Sequence, residues 1–312
     1  MRFLLAGGAG EVGRALSHYL RGRGHTVIIF DKAAWPVNGD NQRQTTIRGD
    51  LQDRALVQAA VQGADVVVNL AWSFSDDAAA IFREDIGGQV NLLEAAAASR
   101  CRRFIYASSA VVYGTPQGEP VTEVHPCLVE KARKPLYALG KRTAEQLCAI
   151  YQKDRGLPVT VVRFWWAFGD SVGGRHLRDM IATAKDNQPL RVVAGTGGTF
   201  VTMTDLTAFI AAVAERPDIA GGVYNIGSLF LTWSEIAAMI IETVGSRSCL
   251  VESSGQAWTG PAFLGERWRL SWQRATEKSG FQPAADSESM REAFRQALAD
   301  CARRVTPGVA HG

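Results

Sequence analysis

Continuous apolar runs alternate with longer segments of helical period through the first half of the chain. "RFLLAG" is followed by a helical pattern over residues 12–21, "HTVIIFD" by one over 53–62, and "ADVVVNLA" by one over 76–100. "RRFIYASS", a helical segment over 136–155, and "PVTVVRF" extend the alternation. Runs rich in β-branched residues and free of polar alternation indicate strands covered on both faces, and strands separated by helices indicate βαβ units. The pattern predicts an α/β fold built on a doubly wound parallel sheet. Beyond residue 170 the rhythm loosens. A short strand "PLRVV", a helix over 205–215, a strand in "GGVYNIGS", a helix over 233–244 and a last helix over about 288–301 are separated by Gly-rich turns. They predict a smaller, irregular C-terminal α/β unit partly interleaved with the sheet, and "VTPGVAHG" reads as a frayed tail.

Composition narrows the function classes. At 312 residues, 46% hydrophobic and 21% charged, the chain can bury a sizeable core. Its net charge of +3, from 34 basic and 31 acidic residues, gives no electrostatic reason to expect nucleic acid or a membrane surface, and leaves room for a small anionic substrate. The five cysteines show neither CxxC pairs nor His-rich spacing, so they read as reduced packing residues and no metal site is expected. "MRFLLAGGAG" is too short for a signal sequence core and no 18-residue apolar run occurs, from which a cytoplasmic protein is expected.

"LLAGGAGEVGRAL" puts glycines directly after an apolar strand and at the start of a helix. Gly7, Gly10 and Gly13 fit one phosphate-binding spacing, and Gly8, Gly10 and Gly13 fit another. Either makes a tight turn that lets a pyrophosphate approach backbone N–H groups at a helix N-terminus, beside Glu11 and Val12. The second strand ends in Asp31, eighteen positions after Gly13. A carboxylate there accepts ribose hydroxyls and repels a 2′-phosphate, which favours NAD over NADP, although Lys32 next to it weakens that preference. "RGDLQD" follows the third strand and places Asp50 and Leu51 near an adenine ring or, equally, in a helix-capping turn. The expected organisation is a Rossmann-like NAD-binding domain over residues 1–168, with segments returning near 200–227, and a mainly substrate-binding domain over 169–312.

"YALGK" sets Tyr137 and Lys141 four apart on one helix face. A lysine ammonium lowers a nearby phenol's pKa, and a serine hydroxyl can share the proton, so such a tyrosine moves a proton at an alcohol or carbonyl oxygen while hydride passes to or from nicotinamide. The strand end "FIYASSAVVYG" supplies the serine. Together with "GGAGEVG", "GDLQD", "VNLAW", "NLLEAA", "VVRFWWAFGD", "PLRVVAGTGGTFVTMTDL" and "VYNIGS", the chain resembles the extended short-chain dehydrogenase/reductase family, the branch of NAD-dependent sugar-nucleotide epimerases and dehydratases. The resemblance implies Ser109, Tyr137 and Lys141 as the catalytic set. It implies Asn69, Leu70, Ala71, Ser108 and Phe164 along the cofactor and Asp31 on its ribose. It also implies a homodimer joined through the helices over 76–100 and 136–155.

The chain departs from its relatives at the substrate. Family dehydratases carry an Asp-Glu pair after the catalytic hydroxyl; Ala110 and Val111 stand there, which disfavours 4,6-dehydration. The family's diphosphate-gripping arginine falls on Gly198, and the asparagine that meets the substrate falls on Trp166. Arg267 and Arg269 could replace the lost charge, and the basic run Lys131, Arg133, Lys134 could attract an anion or form a solvated loop. Trp72, Phe74, Trp165, Trp166 and Phe168 read either as packing or as an aromatic pocket, each buried indole contributing about 2 to 3 kcal/mol. Substrate contacts are expected from Trp72, Ser109, Ala110, Tyr137, Trp165, Trp166 and Arg267. The leading expectation is an NAD-dependent oxidoreductase or epimerase acting on a sugar or hydroxylated metabolite. A UDP-hexose 4-epimerase and a non-catalytic dinucleotide sensor are the alternatives.

Overall fold

Along β1 (Arg2–Ala6) successive side chains point into two different apolar layers, which is why the run shows no polar position after Arg2. The computed structural model describes residues 1–35, 43–219 and 221–306. After β1 come α1 (Glu11–Gly22), β2 (Thr26–Asp31), β3 (Gln44–Arg48), α2 (Arg54–Val61) and β4 (Val66–Asn69). A helical stretch follows as α3 (Ala78–Ala80), a π turn (Ile81–Ile86) and α4 (Gly87–Ala98), then β5 (Arg103–Ala107), α5 (Pro135–Arg155) and β6 (Val159–Arg163). The rest comprises β7 (Trp166–Phe168), α6 (Arg175–Lys185), β8 (Leu190–Val193), β9 (Gly197–Thr202), α7 (Met203–Glu215) and β10 (Gly222–Asn225). Last are β11 (Leu229–Thr232), α8 (Trp233–Val244), β12 (Leu250–Ser253), β13 (Arg267–Trp268), α9 (Gln273–Ser279) and α10 (Ser287–Arg304).

The large sheet is parallel throughout, in the order β3-β2-β1-β4-β5-β6-β10, with Leu4 opposite Ile28 on one side and Val67 on the other. Phe3, Leu5, Val27 and Ile29 pack under Leu16 and Leu20 of α1 and Phe209 and Ile210 of α7. Leu4, Ile28, Phe30 and Val67 pack on the opposite face under Val57 of α2, Leu92 and Leu93 of α4, and Ala144 of α5. Full burial of each such side chain contributes about 1.5–3 kcal/mol, so the two covered faces are what hold this order.

A third apolar layer, Phe168, Phe200, Trp233 and Phe294 among them, is enclosed by α6, α8 and α10. Its sheet is centred on β9, which pairs antiparallel with β11 and parallel with β7 and β13; β8 and β12 form a separate parallel pair. The start of α8 is fixed by a capping box, Thr232 accepting the N–H of Glu235 while the Glu235 carboxylate takes the N–H of Thr232 at 2.7 Å.

The single helix expected over 76–100 is interrupted by the π turn. Asp77 caps α3, Ile81 packs on Gly140 of α5, and Gly88 packs on Leu51, so the segment satisfies two neighbours that a uniform α-helix need not meet in register. Among the described residues no helix is long and apolar enough to cross a membrane. The five cysteines are free; Cys101, Cys148 and Cys301 are buried, Cys127 is half-buried and Cys249 is exposed.

Candidate active site

The turn between β1 and α1 is formed by close backbone approach. Gly7 has φ +74°, and a Cβ there would lie 2.6 Å from the backbone of Ala71; a Cβ at Gly13 would fall 2.4 Å from the carbonyl oxygen of Gly8. Gly10 differs. It is exposed, it begins α1 without a side-chain cap, and a Cβ there would meet only Gly7 O at 3.4 Å. Its bare backbone lines a cleft of 360 Å³, the geometry that admits a pyrophosphate to uncapped helical N–H groups.

Asp31 lines the same cleft, its carboxylate accepting N–H groups of Ala9 and Ala33, each at 2.9 Å. Lys32 turns away from it, pairing with Asp50 at 3.0 Å and Glu84 at 3.3 Å, and these contacts raise its pKa, the Asp50 hydrogen bond most. Asp31 therefore stays available to ribose hydroxyls. Gly7, Asp50, Leu51, Leu70 and Ala71 also line this cleft. Asn69, expected along the cofactor, does not. It is buried, donates to Gln89 Oε1 at 2.6 Å and accepts the N–H of Ala71 at 3.0 Å, so it sets the shape of the wall from behind.

Tyr137 and Lys141, one turn apart on α5, line an adjoining cavity of 410 Å³ with Glu11, Val12, Ser108, Ser109 and Phe164. It shares Leu70, Trp72 and Phe74 with the first cleft. Ser109, just beyond β5, lines this cavity with Tyr137 and draws the phenol's pKa down. Lys141 is buried, donates to the carbonyl of Ala107 at 2.9 Å and lies 4.3 Å from the centroid of Trp72. Burial brings its pKa down to about 7 against the opposing pull of Asp85 and Glu145. The Tyr137 phenol, expected to fall, is instead pushed up to about 12, because burial outweighs the influence of Ser109. The ammonium is engaged by Ala107 and stands 5.9 Å from the Tyr137 ring.

Sequence reading missed the support beneath this group. Ser108 donates at 2.6 Å to the buried Glu145, which Arg163 holds with two bonds of 2.8 and 2.6 Å. The available signal was spacing, since Glu145 follows Lys141 by four on the same helix face. Asp85 of the π turn, also missed, accepts both the N–H and the O–H of Ser73 at 2.7 Å, and burial raises its pKa.

A third cavity, of 240 Å³, shares Ser109, Tyr137, Trp165 and Trp166 with the second and is further walled by Phe263, Trp268, Arg133 and Glu266 among others. The two adjacent tryptophans do both things expected of them: they wall this cavity and pack on Phe200 and Trp233. Each indole lies on a glycine. A Cβ at Gly174 would fall 2.0 Å from Trp166 Cζ2, and one at Gly198 would fall 2.0 Å from Trp165 Cζ3. Trp165 thus fills the space into which any side chain at 198 would extend, so an arginine at 198 would collide with the indole.

Two expected contacts lie elsewhere. Ala110 is fully buried in a small cluster with Val112, Tyr113 and Leu270, because the turn after Ser109 folds inward. Arg267 leaves the crevice to its neighbour Trp268: its guanidinium donates to Gly195 O at 2.9 Å and pairs with Glu119 at 2.7 Å. His125, in the loop before Tyr137, accepts the N–H of Thr122 and packs edge-on to Tyr113.

A model of the NAD dependent epimerase/dehydratase family matches residues 3–227. The chain belongs to that family. A dTDP-glucose 4,6-dehydratase of Streptomyces niveus is 30% identical over 79% of this chain and 78% of its own. The low-salt glycan biosynthesis protein Agl12 of Haloferax volcanii is 29% identical over 81% and 85%. A UDP-glucose 4-epimerase of Thermotoga maritima, crystallised with UDP-glucose, superposes with a TM-score of 0.77 at 19% identity, covering 97% of this chain and 99% of that one, which shows the shared fold. Membership makes the chain an NAD-dependent enzyme of the epimerase/dehydratase family, and its glycine turn and Asp31 fit that cofactor.

Proposed function

We propose that this enzyme oxidises a secondary alcohol, or reduces the matching carbonyl, of a sugar or hydroxylated metabolite in specialised biosynthesis, with Tyr137 as the acid–base group. The observation that carries the reading is that Ser109 and Tyr137 stand in the wall shared by the cofactor-side cavity and the aromatic cavity. In this reading residues 1–168 and the returning strand and helix hold NAD, and 169–312 supply most of the substrate wall. Gly7, Gly10, Glu11, Val12 and Asp31 would hold the cofactor, which when bound supplies the two-electron oxidant. On reduction the Tyr137 phenol gives its proton to the carbonyl oxygen; on oxidation the phenol first loses its proton to solvent and the phenolate takes one from the substrate hydroxyl. Ser109 offers the Tyr137 oxygen a hydrogen bond, and the Lys141 ammonium steadies its charged form.

Ala110 and Val111 have no proton to give, which argues against water elimination as in a 4,6-dehydratase. The protein is further inferred to act in the cytoplasm as a homodimer. Tyr137→Phe is expected to lower turnover about 10²–10⁴-fold with NAD affinity retained; unchanged turnover would sink the mechanism. Substrate conversion with no added NAD and no net nicotinamide reduction would identify an epimerase, and stoichiometric NADH a dehydrogenase.

A further inference from the structure

The acid–base chemistry leaves one cation of the aromatic cavity without a task. The basic run Lys131, Arg133, Lys134 divides in the structure: Arg133 and Lys134 both line the cavity, but Lys134 pairs with Asp76 at 3.1 Å, whereas Arg133 has its guanidinium carbon 4.3 Å from the centroid of Phe263. The loop that carries it is built closely. Gly114 has φ +75°, a Cβ there would fall 1.9 Å from Leu128 O, and the Thr115 hydroxyl donates to Lys131 O at 3.2 Å.

Arg133 stays exposed and among the described residues no carboxylate pairs with it, while partial burial and the like charge of Arg175 press its pKa down. Its neighbours are served otherwise. Arg175 faces Asp179 at 3.8 Å, and Arg267 and Arg269 share Glu119 at 2.7 and 3.5 Å. Glu266, in the same cavity, already accepts the Trp268 indole N–H at 2.8 Å. A guanidinium held over an aromatic ring keeps its N–H edge for a two-pronged bond to a planar or tetrahedral anion.

We propose that Arg133 is a specificity-determining residue that binds an anionic group of the substrate, carboxylate or phosphoryl, in the part of the cavity not shared with the cofactor side. The inference rests on the reading that Ser109 and Tyr137 mark the reacting end. The flat or apolar body of that substrate lies on Trp165 and Trp166, which line both this cavity and the cofactor-side one.

The test is calorimetric titration of the full-length protein, saturated with NAD, with cyclohexanecarboxylate, cyclohexyl phosphate and the neutral cyclohexanecarboxamide. At least one anion is expected to bind about 10- to 100-fold more tightly than the amide, and the tighter of the two identifies the group. Arg133→Met should erase this preference and Arg133→Lys retain part of it, with NAD affinity unchanged in both. Equal binding of the amide, no binding of either anion at about 1 mM, or a preference that survives Arg133→Met overturns the proposal. Tyr137→Phe keeps the two readings apart: the anion preference should persist in it, whatever happens to turnover.

Discussion

Lys141 shows how burial rewrites a spacing argument. Its ammonium has a pKa of about 7 in the fold against the ordinary 10.5, so the unfolded chain holds the proton more tightly. Between those values unfolding takes up a proton, and the residue's contribution to stability rises with pH; below about 7 both states are charged and the full cost of the buried ammonium stands. Lys141→Met removes that cost. Its melting temperature is expected to exceed that of the wild type at about pH 6, with the difference shrinking as the buffer moves from about pH 7 to 9. A difference constant with pH would show that Lys141 is not strained in this way. The identities of Ser109, Tyr137 and Lys141 as a group were legible from a strand end and a four-residue step. The phenol's upward shift was not, because nothing in the spacing says how much protein covers a side chain.

At the scale of the element, β9 explains most of what the sequence concealed. Strands with β-branched runs and two covered faces declared themselves, whereas β9 opens with two glycines and reads as a turn. Gly198 is bare because Trp165 lies on it, a constraint invisible until β7 and β9 pair. Helix α6 was hidden for a related reason: it starts after Gly173 and Gly174, and the second of these is overlaid by Trp166. The interlock is testable as a cycle. Gly198→Arg alone should lower the melting temperature, and adding Trp165→Ala should recover part of the loss, with a coupling of about 0.5–3 kcal/mol. Simple additivity of the two changes would mean that the indole moves aside freely.

At the scale of the whole molecule, α5 carries Leu136, Leu139 and Ile150 exposed on a helix whose other face is core. Light scattering is expected to give twice the 33.8 kDa chain mass, and Ile150→Glu to shift it toward the monomer with the helical signal unchanged. A monomeric wild type would remove the dimer. The path of the chain has a further consequence. It leaves the large sheet after β6, builds β7 to β9, returns to supply α7 and β10, and departs again into β11. No single cut separates the cofactor frame from the aromatic wall, since a fragment ending near residue 168 would lack the edge strand and the helix that covers Phe3 and Ile29. A chimera with a relative joined at one point would therefore carry mismatched halves of one core. Selectivity in such a chain has to change by replacement of individual side chains on an inherited frame, because the frame offers no module to exchange.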